Sequence, residues 1–102
     1  MSIALNLYYK GKNGSAKMFT EEIEKSGLAD KIRNQPGNEC YEYFVSMRDK
    51  EMILLVDRWE DDDALHFHHD SQDMIKIGEL KDKYDLELKV ERYVTEKERC
   101  EE

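Results

Sequence analysis

The chain has 102 residues, of which 39% are hydrophobic and 39% charged, and its formal net charge is -8 at pH 7. This length suits one domain over residues 1–102, with an ordered core of about residues 2–95 and a charged tail at 96–102. The acidic balance argues against a nucleic-acid partner, because phosphate binding requires a basic surface. No apolar run approaches the ~18 residues of a membrane span, and the N-terminus lacks a signal-peptide pattern. We therefore expect a cytoplasmic protein that does not enter a membrane.

The first third of the chain predicts a strand followed by two helical segments. Residues 3–9 (IALNLYY) alternate two sets of side chains, as a strand does. KGKNG is typical of a turn, and Ser15 is a candidate N-cap for a helix that runs to about Lys25 and ends at a Ser-Gly pair. LADKIRN predicts a second short helical piece, which a Gln-Pro-Gly turn closes.

The remainder predicts a hairpin, further helix and a final strand. Residues 39–47 and 51–59 are rich in aromatic and β-branched side chains and are joined by a tight Arg-Asp-Lys turn. Three aspartates then open a helix that carries three histidines, and Ser71 is a candidate cap for the next helix. Residues 86–94 (LELKVERYV) alternate as a strand. The order β-α-β-β-α-β predicts an α+β, ferredoxin-like fold.

The strand EMILLVDRW is apolar on both of its faces. The two sets are Met52, Leu54 and Val56, and Ile53, Leu55 and Trp59. A strand of this kind needs cover on both sides, and the helices can cover only one face of a four-stranded sheet. We therefore predict a homodimer that packs sheet against sheet; the alternative is a monomer with some exposed apolar surface.

The helix within RWEDDDALHFHHDS, residues 58–71, divides its histidines between two faces. His68 lies on the stripe of Ala64 and Leu65, whereas His66 and His69 fall toward the polar side. The inner imidazole is either a core side chain with satisfied nitrogens or a base in a pocket, since its ordinary pKa allows proton exchange near neutral pH. Spacing alone leaves both interpretations open.

The outer histidines offer a metal-site interpretation. His66 and His69, with Asp62 and Asp73 a turn away, are ligand types that suit zinc. A catalytic metal needs a pocket, however, and this face is expected to be solvated, so we expect no functional metal.

The two cysteines, Cys40 and Cys100, form no CxxC pair. We predict two free thiols, with Cys40 packed in a strand and Cys100 in the charged tail.

Three motifs together resemble the antibiotic biosynthesis monooxygenase family. They are W-x4-A-L-x2-H-x2-S at residues 59–71, P-G-x3-Y at residues 36–41, and R-Y at residues 92–93. The similarity covers about residues 2–95, and its specificity comes from the joint spacing of the three motifs.

This resemblance implies a dimeric α+β barrel of ferredoxin-like subunits, each with a small pocket between sheet and helices. Members include oxygenases of quinol- or anthrone-like aromatics that use neither metal nor flavin, with dioxygen as the second substrate. By the same resemblance, His68 would be the base or proton shuttle and Asn6 would hold the substrate oxygen. Trp59 would form an apolar wall, and Tyr41 would offer a polar contact.

Structural roles for the same residues stay open. Packing explains Trp59 as well as substrate contact does, and Tyr41 with Tyr43 fits core or interface aromatics. Asn6 shares a strand face with its i±2 neighbours, and the sequence does not say whether that face meets the helices or a partner subunit. A position against the partner would make its role structural.

Two positions depart from the pattern of the relatives, and two more exclude the haem-degrading branch. Asp73 stands where many have a second histidine, and Asp57 where they often have a glutamate. His68 and Gly78 occupy the places of the tryptophan and histidine of haem-degrading relatives, so no axial haem ligand is available there.

Three functions therefore compete. The leading one is a cofactor-independent monooxygenase that oxidises a small phenolic or quinol-type aromatic. An isomerase of a small metabolite would keep His68 but need no oxygen. A non-catalytic dimeric module would bind a small ligand or serve stress resistance. The scaffold alone does not separate them, because function depends on the site.

Overall fold

The computed structural model describes residues 1–95 as four strands and four helices. The strands are β1 (Ser2–Lys10), β2 (Asn38–Val45), β3 (Met52–Trp59) and β4 (Glu87–Thr95). The helices are α1 (Ser15–Lys25), α2 (Leu28–Arg33), α3 (Asp62–His69) and α4 (Gln72–Lys83). The expectations for the tail and for Cys100 lie outside the described residues, and Cys40 is a free thiol.

The strands form one antiparallel sheet in the order β2-β3-β1-β4. This order, with the helices in the two crossovers, is the ferredoxin-like α+β arrangement, so the predicted fold class is confirmed. No helix within residues 1–95 is both long and apolar enough to cross a membrane.

The helices cover only one face of the sheet, here called the inner face. Its β1 and β3 side chains are all buried, and the helices pack their own buried apolar residues against them. These strand residues are Ile3, Leu5, Leu7, Tyr9, Ile53, Leu55, Asp57 and Trp59. The opposite side, the open face, carries the half-buried side chains of Ala4, Asn6, Tyr8, Met52, Leu54, Val56 and Arg58. The two-sided pattern of β3 is therefore confirmed.

Of the two helix caps predicted from the sequence, Ser71 is confirmed and Ser15 is not. Asp61 caps α3 by accepting from the Ala64 N–H at 2.9 Å, and Ser71 caps α4. The prediction that Ser15 caps α1 was wrong. Gly14 occupies the cap with φ 80°, and the Ser15 hydroxyl instead accepts from the Lys12 N–H at 3.0 Å.

Gly37 brings the start of β2 against the start of α3. Its φ of 82° lies in the left-handed region, and its carbonyl accepts from the Glu60 N–H at 2.9 Å. A Cβ at this position would come within 2.5 Å of the Ala64 Cβ. This contact is the physical reason for glycine after Pro36, and it positions α3 over the sheet.

Candidate active site

The inward histidine is His68, as the helical spacing predicted. Its side chain is 2% exposed and lies in the buried stripe with Ala64 and Leu65. His66 and His69 lie outside that stripe and are exposed. The three histidines are therefore divided between the core and the surface.

Gln35 joins His68 to the helix that follows. The Gln35 Nε2 donates to Asp73 Oδ2 at 3.0 Å and to Ser71 Oγ at 3.3 Å. Because a carboxylate only accepts, the amide nitrogen faces Asp73 and the amide oxygen faces His68 Nδ1, at 3.0 Å. That oxygen also only accepts, so Nδ1 carries the proton and Nε2 keeps a lone pair.

This network gives a role to Asp73, which stands where many relatives carry a second histidine. The carboxylate orients the Gln35 amide, and the amide selects the tautomer of His68. Ser71 adds a second restraint, because its hydroxyl donates to the His68 carbonyl oxygen at 2.6 Å. The sequence shows the residues but not this connection, since 33 positions separate Gln35 from His68.

Trp59 lies under the imidazole. The ring centroids of Trp59 and His68 are 4.7 Å apart with an interplanar angle of 23°, which is a stacked arrangement. Tyr41 approaches the same imidazole edge-on, at 6.4 Å and 68°. The structure thus brings His68, Trp59 and Tyr41 together, three of the four residues named from the sequence.

Asn6, the fourth, is separated from them by the sheet. It lies on the open face, whereas Trp59 and the ring of His68 lie on the inner face. The two faces alternate along β1, so Leu5 and Leu7 point toward the helices and Asn6 points away. The expectation that Asn6 holds the substrate beside His68 is therefore corrected.

Asp57 is the polar residue of this region whose role sequence reasoning missed. It is 2% exposed, and its Oδ1 accepts the indole N–H of Trp59 at 2.7 Å. Burial raises the pKa of Asp57 to about 7, and the hydrogen bond from Trp59 lowers it in part. Its signal was present in the sequence, because a carboxylate follows Ile53 and Leu55 on the apolar alternation of β3.

Burial has the opposite effect on the imidazole. It lowers the pKa of His68 to about 4, with a smaller contribution from His69 in the same direction and an opposing one from Asp73. His68 is consequently neutral at neutral pH, in agreement with the single-proton tautomer that Gln35 selects.

The outer histidines do not assemble with the aspartates named for a metal. Asp73 bonds to Gln35, and Asp62 accepts from Arg92 at 2.6 Å. Within residues 1–95, no three His, Cys, Asp or Glu side chains are placed to hold a metal ion.

The cluster is closed to solvent. Trp59 is 0% exposed and Tyr41 3%, so a substrate reaches His68 only after side chains move. A surface cleft of about 420 Å³ lies elsewhere, lined by residues of α1, α2 and α4 and by Ser26 between them.

The model of the antibiotic biosynthesis monooxygenase family matches residues 2–79, more than half of the sequence and all the elements that build this cluster. The chain belongs to this family. A curated relative named "Putative monooxygenase YcnE", from Bacillus subtilis, is 26% identical over 69 residues, which are 68% of this chain and 70% of that protein.

Solved structures with the family's name share the fold. A "putative antibiotic biosynthesis monooxygenase" from Nitrosomonas europaea superposes with a TM-score of 0.82 at 13% identity, covering 93% of this chain and 90% of its own. Another from Deinococcus radiodurans has a TM-score of 0.79 at 14% identity, with coverages of 100% and 99%. At such low identity, these likenesses concern the fold, and the family membership indicates a monooxygenase-type function.

Proposed function

We propose that this chain is a cofactor-independent monooxygenase that oxidises a small phenolic or quinol-type aromatic with dioxygen. The observation that carries the proposal is the state of His68. It is a neutral imidazole with Nδ1 protonated toward Gln35 and an Nε2 lone pair, packed on an indole in an apolar region. Apolar surroundings with few oriented polar groups are typical of small-molecule sites.

In the proposed reaction the substrate supplies the electrons. His68 Nε2 takes a proton from a substrate hydroxyl, and the resulting anion passes one electron to dioxygen. The substrate radical and superoxide combine at a carbon that bears hydrogen, forming a hydroperoxide after proton uptake. Loss of water from that group leaves a carbonyl, so one oxygen atom enters the product and the other leaves as water.

The low pKa of His68 limits this step in the closed protein, since a base of pKa about 4 is weak toward a phenol. A phenolate formed next to the ring favours the imidazolium, because opposite charges within ~4–6 Å stabilise each other. Trp59 would provide the apolar wall, and Tyr41 would close the edge of the site. Because the cluster is closed to solvent, side chains around the imidazole must also move to admit the substrate.

We further propose that the protein is a homodimer in which two open faces pack together. The supporting observation is that β3 leaves Met52, Leu54 and Val56 half-buried on a face that no helix covers. A sheet of this kind is usually covered on both sides. Leu54→Glu should give a monomer in light scattering after gel filtration, whereas Ile75→Glu, on exposed α4 surface, should not.

The closed state of the cluster favours one alternative. Because Trp59 and His68 are almost fully buried, they also suit a non-catalytic dimeric module in which both serve packing. An isomerase with the same base would turn over its substrate without consuming oxygen.

Oxygen uptake over a panel of dihydroxyaromatics separates these functions. The proposal expects uptake by chelator-treated protein and a loss of about 100-fold or more in His68→Gln, in line with the contribution of a general base. His66→Gln, an exposed histidine on the same helix, is the matched control and should keep full activity. Uptake that is unchanged in His68→Gln, or absent over the whole panel, would contradict the proposal.

A further inference from the structure

Asp57 is an ionisable group in the middle of the inner face. Its register neighbours are Leu5 on β1 and Tyr41 on β2, and both of these are buried as well. An apolar side chain would fill such a place at lower cost, because a buried carboxylate must be compensated by hydrogen bonds or charges. A carboxyl group at this position therefore calls for an explanation beyond packing.

The hydrogen bond that Asp57 makes connects it to the candidate base. Its Oδ1 accepts from Trp59 Nε1 at 2.7 Å, at the short end of the ordinary range for N–H···O hydrogen bonds. The same indole stacks on His68 at 4.7 Å. The carboxylate thus acts on the imidazole through the orientation of one intervening ring.

We propose that Asp57 is a positioning residue whose ionised carboxylate holds the indole of Trp59 in the plane on which His68 rests during turnover. The proposal rests on the proposed function for its effect on catalysis. Its structural part, the link between the charge of Asp57 and the environment of Trp59, does not need the protein to be an enzyme.

Among the ionisable groups of this cluster, Asp57 is the one whose pKa lies near neutral pH. Burial raises the pKa of each tyrosine that faces it and lowers the pKa of His68, so these groups stay neutral around pH 7. The facing groups are Tyr9 on β1, Tyr41 and Tyr43 on β2, His68 on α3, and Arg33 of α2, whose Nε donates to the Tyr41 carbonyl. The neighbouring thiol of Cys40, whose pKa burial raises, pairs with Arg58 on the open face. With the pKa of Asp57 at about 7, its charge changes over the range in which its neighbours do not.

Trp59 is the only tryptophan of the chain, so its signals report on this link directly. The indole N–H resonance and the fluorescence emission of the wild-type protein should both titrate near pH 7. Asp57→Asn keeps an oxygen that can accept the indole N–H but cannot ionise, and its Trp59 signals should be flat from pH 5.5 to 8.5. Asp63→Asn, which changes an exposed aspartate on α3, is the matched control and should titrate as the wild type does.

Turnover supplies the second readout. The rate of the Asp63→Asn control should equal the wild-type rate at each pH. The ratio of the Asp57→Asn rate to the wild-type rate should rise about 10-fold between pH 8.5 and pH 6, because a group of pKa about 7 is about one-tenth ionised at pH 6. This ratio cancels the titration of the substrate itself. The effect should fall on kcat more than on KM, since Asp57 orients the base and does not touch substrate.

The two readouts separate this proposal from the proposed function. Wild-type Trp59 signals that are constant from pH 5.5 to 8.5 would overturn the role of Asp57, whether or not oxygen is consumed, and this test needs no variant. That role would equally be overturned if Asp57→Asn titrates like the wild type, or if its pH–rate profile coincides with the wild-type profile. Titrating Trp59 signals in a protein without oxygen uptake would support the link to Asp57 and reject the monooxygenase.

Discussion

Replacing Asp57 by asparagine should change how the stability of the protein depends on pH. Burial raises the pKa of Asp57 from 3.8 to about 7, so the folded state binds this proton more tightly than the unfolded state does. The corresponding stabilisation is fully present below about pH 4 and is lost as the pH rises through about 7. At about 1.4 kcal/mol per pH unit, the loss amounts to about 4 kcal/mol.

His68 changes the free energy of unfolding with pH in the opposite direction. Burial lowers its pKa from 6.5 to about 4, so its contribution is fully present above about pH 6.5 and is lost as the pH falls through about 4. This loss is about 3 kcal/mol by the same conversion. In the wild-type protein the two groups therefore oppose each other between about pH 4 and pH 6.5, and their joint effect on the free energy of unfolding is nearly level there.

Asp57→Asn removes one of the two contributions. Its free energy of unfolding should rise by about 3 kcal/mol from pH 4 to pH 6.5, because His68 then acts alone. The difference between variant and wild type should shift by about 4 kcal/mol in favour of the variant from pH 4 to pH 8. Any constant cost of burying the asparagine amide cancels in this comparison.

Urea unfolding at pH 4.5, 6 and 8, followed by Trp59 fluorescence at one fixed protein concentration, measures these differences. Asp63→Asn, at an exposed position, should parallel the wild type at every pH. A difference between Asp57→Asn and wild type that is the same at pH 4.5 and pH 8 would refute the reasoning, since it would mean that Asp57 has the same proton affinity in the folded and unfolded states.

Two further predictions concern the residues that position His68. Gly37→Ala should lower the free energy of unfolding by about 3 kcal/mol, from a left-handed φ and a Cβ clash with Ala64. Gly78→Ala, inside α4, places its new Cβ in open space and should instead raise the free energy of unfolding by about 0.5–1 kcal/mol. Urea unfolding measures both variants, and equal effects of the two substitutions would contradict the backbone argument. Gln35→Leu leaves the Nδ1–H of His68 without its acceptor and should cost about 1–3 kcal/mol in the same assay. An unchanged free energy for Gln35→Leu would mean that this hydrogen bond does not select the tautomer.

The candidate site was predictable to the extent that helical periodicity defines it. The i, i+3 and i, i+4 spacing from Ala64 and Leu65 correctly predicted that His68 points inward and that the other two histidines point outward. The hydrogen bonds from His68 to Gln35 and from Gln35 to Asp73 were not recognisable, because they span 33 and 38 positions of the chain. Local patterns carry no information about which distant amide reaches a given imidazole.

The two faces of the sheet were likewise predictable only in part. Alternation along β1 separated Asn6 from Leu5 and Leu7, yet it could not say which set the helices would cover. That choice follows from the hand and order of the crossovers, and it moved Asn6 away from the candidate base. The start of α1 differed for a local reason, since Gly14 adopts a left-handed φ that places the cap one residue before Ser15.

The amino-acid sequence by itself determined the order of the elements, the two faces of β3 and the inward direction of His68, because these follow from periods of 2 and 3.6 residues along neighbouring positions. Only the tertiary structure decided that Asp57 meets the Trp59 indole beneath His68, and that Gln35 assigns the imidazole proton. Those contacts depend on how β3, α3 and the turn before β2 come together in space. The pKa values of Asp57 and His68 follow from that assembly, because burial sets them.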